Sequence, residues 1–321
     1  MSGPIIRVED LHKKYGNAEA VRGISFQVHP GDFFGLLGPN GAGKTTIIGT
    51  LTGWIAPTGG RIEILGMDLS SRSKEAKKKM GLVPQGFAFY PTLTARENLG
   101  FFGKLYGLKG RHLEERVTHV LGIVSLEDRA DQAAGTFSNG MKRRLNIAIG
   151  LLHEPALLIL DEPTDGVDLQ SRNKILETIK RLNLDGVTIL YTTHHIDEAE
   201  DLCNRVAILD LGKIIALDTP RGLTQSFGKG IIQIELNAAM DEGLLRQMET
   251  IGSVLWMDGK KRRVHLETDQ PALALSQLLE WKEKSKALFK SLDMMEPSLE
   301  TVFIHLTGRA LGHSRGTNGV G

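Results

Sequence analysis

The residues most able to do chemistry lie in one run, Gly38-Pro39-Asn40-Gly41-Ala42-Gly43-Lys44-Thr45-Thr46. Its glycines let the backbone turn so that successive N–H groups face one hollow. Lys44 can reach β- and γ-phosphate oxygens, and the Thr45 hydroxyl can ligate a divalent cation. Two adjacent acids, Asp161 and Glu162, close the apolar run Ala156–Leu160. Side chains alternate along a strand, so one acid can face a metal shell and the other an attacking water; the plainer alternative is a pair of solvated loop acids. His194 and His195 end a second apolar run, Val187–Thr193, and Gln85 ends a third, Gly81–Pro84. Ligands collect at strand ends in open α/β sheets, although a lone histidine is more often structural. Small polar residues before a helix starting near Asn139 make a second helix N-terminus able to bind anions. Tyr15 is open to two readings, base stacking or half-buried packing.

Elements must position these groups. The apolar run Phe33–Leu37 predicts a buried strand before the phosphate loop, and Ile47, Ile48 and Leu51 predict a helix after it. Strands are expected at Ile5–Val8, Ile24–Val28, 59–66, Arg205–Leu209 and Lys213–Leu217. Residues from about 94 to 152 read as helical, with Leu99, Phe102 and Leu105 on one face and Val117, Val120, Leu121 and Val124 on another. The lysines at 74, 77, 78 and 79 read as the solvated face of a helix, with a lipid-headgroup contact as the alternative. After a break at 228–230 the order strand, helix, hairpin, helix, strand, helix predicts a small α/β unit of ferredoxin-like order over 231–308. Residues 309–321 are expected to form a disordered tail.

At 321 residues the chain has room for a large domain and a smaller one. With 39 basic and 38 acidic residues it has no bulk positive field, so nucleic acid is not expected as a partner. Cys203 is the single cysteine, which excludes an internal disulfide and fits a reducing compartment. The N-terminal residues lack the basic-then-apolar pattern of a signal peptide, and the longest apolar runs are too short to span a bilayer. A cytoplasmic chain is expected, reaching a membrane only through a partner.

These motifs, in this order, resemble the nucleotide-binding subunit of an ATP-binding cassette (ABC) transporter over about residues 4–227. The resemblance implies an α/β fold: a P-loop NTPase core with a mixed sheet, an antiparallel β subdomain and a helical subdomain at about 92–152. It implies ATP and Mg²⁺, with Thr45, Gln85 and Asp161 around the metal. Gly38–Thr45 matches the Walker A loop, and Tyr15 the aromatic that stacks on adenine. Gln85 matches the Q-loop glutamine, Asp161 the Walker B aspartate, and Glu162 the glutamate that polarises water. His194 matches the switch histidine, so Lys44, Gln85, Glu162 and His194 are the implied catalytic set. Ser138-Asn139-Gly140-Met141 falls at the signature, usually Leu-Ser-Gly-Gly-Gln, and Asp168 at the D-loop aspartate.

Two subunits of such proteins pack head to tail, so Ser138, Gly140 and Asp168 would serve the nucleotide of a second copy. Phe137 and Asn139 depart from the signature. Asn tolerates a left-handed backbone, so the expectation is a preserved turn whose side chain crowds the nucleotide. The stretch 297–308 resembles the closing motif of the drug-exporter type, which pairs with a separate ABC-2-type permease; this implies export and a peripheral position on the inner face of the cell membrane. Chromosome-maintenance relatives carry a long coiled coil between these motifs, and ribosome-binding relatives carry two cassettes. The chain has neither. A catalytically idle regulatory subunit is a further reading, favoured by Asn139 and opposed by Glu162.

Overall fold

The computed structural model describes residues 3–226, 230–257, 260, 262–284, 289–295 and 298–307. The chain divides into two compact units, Met1–Ile214 and Ile215–Gly321.

The first unit opens with two long antiparallel strands, β1 (Ile6–Tyr15) and β2 (Ala18–Val28). The sequence predicts a strand only to Val8. The register between them shifts between Val8 and Leu11, and Asp10 has a φ of 46°. That irregularity breaks the period of two by which a strand is read, while the pairing itself continues to Tyr15. The wholly buried β3 (Phe33–Leu37) follows, then α1 (Lys44–Leu51), β4 (Gly59–Ile64) and β5 (Met67–Asp68). Next comes α2 (Leu69–Lys77), whose first turn is capped by the Asp68 carboxylate accepting from Ser70 N at 2.9 Å. The lysines at 74, 77, 78 and 79 are exposed, as a solvated face requires. After β6 (Met80–Val83) the chain enters a helical block: α3 (Ala95–Leu105), α4 (Gly110–Ile123) and α5 (Asn139–Leu151). It returns through β7 (Leu157–Asp161), α6 (Leu169–Leu184), β8 (Thr188–Thr193), α7 (Ile196–Leu202), β9 (Arg205–Asp210) and β10 (Lys213–Asp218). The division between units falls inside β10.

One sheet has the order β2-β1-β4-β5 and is antiparallel where its pairs are resolved, and the other runs β10-β9-β3-β8-β7-β6. In the second, β6, β7, β8, β3 and β9 are mutually parallel. Strands covered on both faces read as unbroken apolar runs, and every residue of β3, β7 and β8 is buried. In the helical block Val117, Val120, Leu121 and Val124 are buried as expected. The expected α3 face is only partly right. Leu99 is fully buried, but Leu105 in the last turn is 67 % exposed. The helix starts on a capping box between Thr94 and Glu97.

The second unit holds α8 (Pro220–Ser226), β11 (Gly230–Leu236), α9 (Glu242–Glu249), β12 (Ser253–Met257), β13 (Arg263–Thr268), α10 (Pro271–Lys284), β14 (Phe289–Met295) and α11 (Leu299–Thr307). Its sheet has the order β12-β13-β11-β14, antiparallel at every step. Ile232, Ile234, Val264 and Leu266 of the sheet meet Leu244, Met248 and Leu278 of the helices in one core. The α8 and α11 helices pack together. The expected tail at 309–321, most of the break at 228–230 and the ends of the 297–308 motif lie outside the described residues. Among the described residues no helix is long and apolar enough to cross a membrane.

Candidate nucleotide site

Parallel pairing puts the C-terminal ends of β3, β6, β7 and β8 on one edge. Each end delivers one of the groups singled out from sequence. β3 runs into the loop Gly38–Gly43. Gly43 has a φ of 105°, and a Cβ there would lie 2.7 Å from Ala20 O, so both conformation and space demand glycine. Lys44 opens α1 and is almost fully buried. Its ammonium donates to Gly38 O at 2.7 Å and Pro39 O at 3.1 Å, and pairs with Glu162 Oε1 at 3.0 Å. Gln85, past the end of β6, donates to Glu162 Oε2 at 3.1 Å. His194, past the end of β8, brings Nδ1 to 3.4 Å from Glu162 Oε1, without the alignment of a hydrogen bond. Three of the expected catalytic groups therefore converge on the fourth. Asn40, Gly41, Gly43, Lys44, Thr45, Thr46, Gln85 and Glu162 line a cavity of about 330 Å³ together with Ala20 of β2.

The two acids are not the solvated pair of the plainer reading: Asp161 is 3 % exposed and Glu162 6 %. Nor does strand alternation separate them. β7 ends at Asp161, and Glu162 turns away through a left-handed backbone with a φ of 45°. Such a conformation is strained for a residue with a Cβ, and it is held here by Thr192. The Glu162 N–H donates to Thr192 O and to Thr192 Oγ1 at 3.0 Å, while the Thr192 hydroxyl donates to Asp161 Oδ1 at 2.7 Å. Burial pushes the Asp161 carboxyl above its usual range; hydrogen bonds from Thr192 and Thr45 oppose that rise. Thr45 and Asp161 thus bring two hard oxygen donors together, and Thr45 lines the same cavity as Gln85.

Ser138, Gly140 and Asp168 form a separate group. The Ser138 hydroxyl caps α5, accepting from Met141 N at 3.2 Å, and the Asp168 carboxylate caps α6, accepting from Ser171 N at 2.9 Å. That cap holds the Asp168 carboxyl below its usual range. The two helix starts touch: a Cβ on Gly140 would lie 2.2 Å from Ser171 Oγ. Asn139 is the first residue of α5 and has no positive φ, so the expected left-handed turn is absent. Its amide donates to Gly166 O at 3.4 Å. Tyr15 ends β1, is 49 % exposed, and carries the Lys13 ammonium 4.9 Å above its ring.

Sequence reasoning missed Thr192 and Arg143. Thr192 is a polar residue in a buried strand, which was the available signal. Arg143 is buried on α5 and donates to Gln85 O at 2.7 Å and Pro84 O at 3.1 Å, which ties the signature helix to the segment carrying Gln85.

A strand–loop–helix phosphate cradle, a carboxylate turned out at the end of a parallel strand and a histidine on the next strand define an ATP-binding cassette. The chain belongs to the ABC transporter family of ATP-binding subunits, ATPases that dimerise and drive transport through membrane permeases. The family described as ABC transporter matches residues 21–165. The linearmycin resistance ATP-binding protein LnrL of Bacillus subtilis is 42 % identical over 312 residues, covering 96 % of this chain and 99 % of that one. The daunorubicin resistance ATP-binding protein DrrA2 of Streptomyces coeruleorubidus is 36 % identical, covering 96 % of each. Among solved structures, cbiO1 of Clostridium perfringens, part of the ABC transporter complex cbiONQ, superposes with a TM-score of 0.65 at 28 % identity, covering 70 % of this chain and 92 % of that one. An ATP-binding cassette solved as a dimer in a post-hydrolysis state with ADP and Pi gives 0.61 at 27 % identity, covering 67 % and 98 %.

Proposed function

We propose that this chain is the ATPase of an exporter, working as a head-to-tail pair of identical subunits on a separate ABC-2-type permease at the inner face of the cell membrane. The observation that carries it is the convergence of Lys44, Gln85 and His194 on the Glu162 carboxylate while Ser138, Gly140 and Asp168 stand in a group of their own. A site split in this way needs a second copy to complete it. The export direction is supported by relatives whose names speak of drug resistance and of Nod factor export.

In this reading the loop N–H groups and Lys44 hold the β- and γ-phosphate oxygens of ATP, and Tyr15 stacks on adenine. Thr45, Asp161 and Gln85 would hold Mg²⁺. Their oxygens suit that ion: the Thr45 hydroxyl and the Asp161 carboxylate are hydrogen-bonded to each other, and hard oxygen donors are what Mg²⁺ takes. Bound there, Mg²⁺ supplies charge neutralisation on the phosphates. Glu162 accepts a proton from the water that attacks the γ-phosphorus, and His194 holds a γ-phosphate oxygen in line. The N–H groups at the start of α5 and the D-loop Asp168 complete the site of the partner copy.

The exposed aromatics Phe87, Tyr90 and Phe101 would receive a cytoplasmic helix of the permease. Glu162→Gln tests the reading. It should cut ATP turnover at least about a hundredfold while the protein still binds ATP and elutes as a dimer in its presence. Full turnover, or an ATP-bound protein that stays monomeric, would overturn it.

A further inference from the structure

A further buried carboxylate, Glu198 of α7, takes no part in the chemistry above. It is 1 % exposed. Four donors reach it. The Thr193 hydroxyl donates to Oε2 at 2.6 Å and the Tyr191 hydroxyl to the same oxygen at 2.8 Å. The Thr164 hydroxyl donates to Oε1 at 2.7 Å and Arg172 Nε to that oxygen at 2.8 Å. The four donors come from three parts of the cassette's working edge: Tyr191 and Thr193 from β8, Thr164 from the segment after β7, and Arg172 from α6. Thr193 immediately precedes His194, and its hydroxyl also accepts from His195 N at 2.9 Å. Thr164 stands two residues after Glu162. Arg172 lies in the first turn of α6, where its N–H bonds Asp168 O at 2.8 Å and its guanidinium also pairs with Asp197 at 2.6 Å.

We propose that Glu198 is a positioning residue that holds the histidine end of β8, the segment after Glu162 and the start of α6 in one register. A carboxylate offers lone pairs for all four donors at once, and charged hydrogen bonds away from water are strong and stiff. The three hydroxyls that lost it would be left buried without this acceptor, the Arg172 guanidinium would keep only its bond to Asp197, and the group would re-pair in other geometries. His194 and Asp168 are then carried on one rigid piece, so the group that faces a chain's own nucleotide and the group offered to its partner's move together. This rests on the split-site reading of the preceding subsection.

The test uses the full chain with Glu198→Gln, which keeps the shape but turns one acceptor into a donor, and with Tyr191→Phe, which removes a single bond. Glu198→Gln should lower kcat by about tenfold to a hundredfold through misplacement of His194, with KM for ATP within about twofold of wild type because the phosphate loop is untouched. Tyr191→Phe should show the same pattern at smaller amplitude. Hydrogen exchange in the absence of nucleotide should quicken together at 164–168 and 193–195 in both variants. An unchanged kcat in Glu198→Gln, or quickened exchange at 193–195 alone, would overturn the proposal. If Glu198→Gln does not fold, Tyr191→Phe and Thr164→Val carry the same readouts. If the wild-type protein hydrolyses no ATP, the exporter-ATPase reading fails, and the exchange pattern still decides this one.

Discussion

The Lys44–Glu162 pair joins two charges that are both almost fully out of water. Removing one partner of such a pair leaves the other uncompensated, at a cost of about 3 kcal/mol. Lys44→Ala is therefore expected to destabilise the first unit as well as to abolish ATP binding. Adding Glu162→Gln to Lys44→Ala should restore much of the stability and none of the binding. Denaturant unfolding and nucleotide titration of the single and the double variant separate the two effects. The residues of this pair were legible in the sequence because a phosphate loop and a strand-end acid each carry their own local pattern. Thr192 was not, since nothing local tells a hydroxyl that braces two acids from one that fills a strand. Asn139 was misjudged for the opposite reason. Its backbone was expected to be left-handed, but helical hydrogen bonding from Ser138 onward already sets its conformation.

At the scale of elements, two contacts should respond to single substitutions. The first turns of α5 and α6 touch where Gly140 faces Ser171. Gly140→Ala should cost about 1–3 kcal/mol by overpacking, and Ser171→Gly in the same chain should recover part of it, as denaturant unfolding would show. On α3, Asn98 is fully buried and accepts from Tyr90 N at 2.7 Å while donating to Tyr90 O and Thr94 O, both at 2.9 Å. It pins the loop that displays Tyr90. Asn98→Ala leaves the Tyr90 N–H unpaired at about 1–3 kcal/mol, while Tyr90 O and Thr94 O keep their bonds from the N–H groups of Leu93 and residue 98. It should lower the ATPase stimulation by a permease more than the basal rate, a ratio measurable with the reconstituted complex. The existence and type of most elements could be read from periodicity. Their limits could not where a bulge shifted the register, as in β1, or where a helix ended at the surface, as at Leu105.

At the scale of the molecule, the second unit has a titratable core. Burial pushes His265 down to about 4, while an unfolded histidine titrates near 6.5. Between those values the unfolded chain binds more protons than the folded one. The unit should therefore lose stability as pH falls from about 6.5 to about 4, by on the order of 2–3 kcal/mol. Unfolding by denaturant across that range should show the slope, and His265→Gln should flatten it. No sequence pattern marked His265, because its burial depends on strands that meet only after folding.

The strand order has a further consequence for how the protein is made. β3, which carries the phosphate loop, pairs only with β8 and β9, and β7 pairs with β6 and β8. As the chain leaves the ribosome, the loop's strand stays without a neighbour until Thr188–Thr193 has emerged. An apolar strand with two open edges is a template for aggregation. The long wait between the synthesis of β3 and that of β8 is thus the interval in which a nascent chain most needs a chaperone, and ATP can assist only after it has closed.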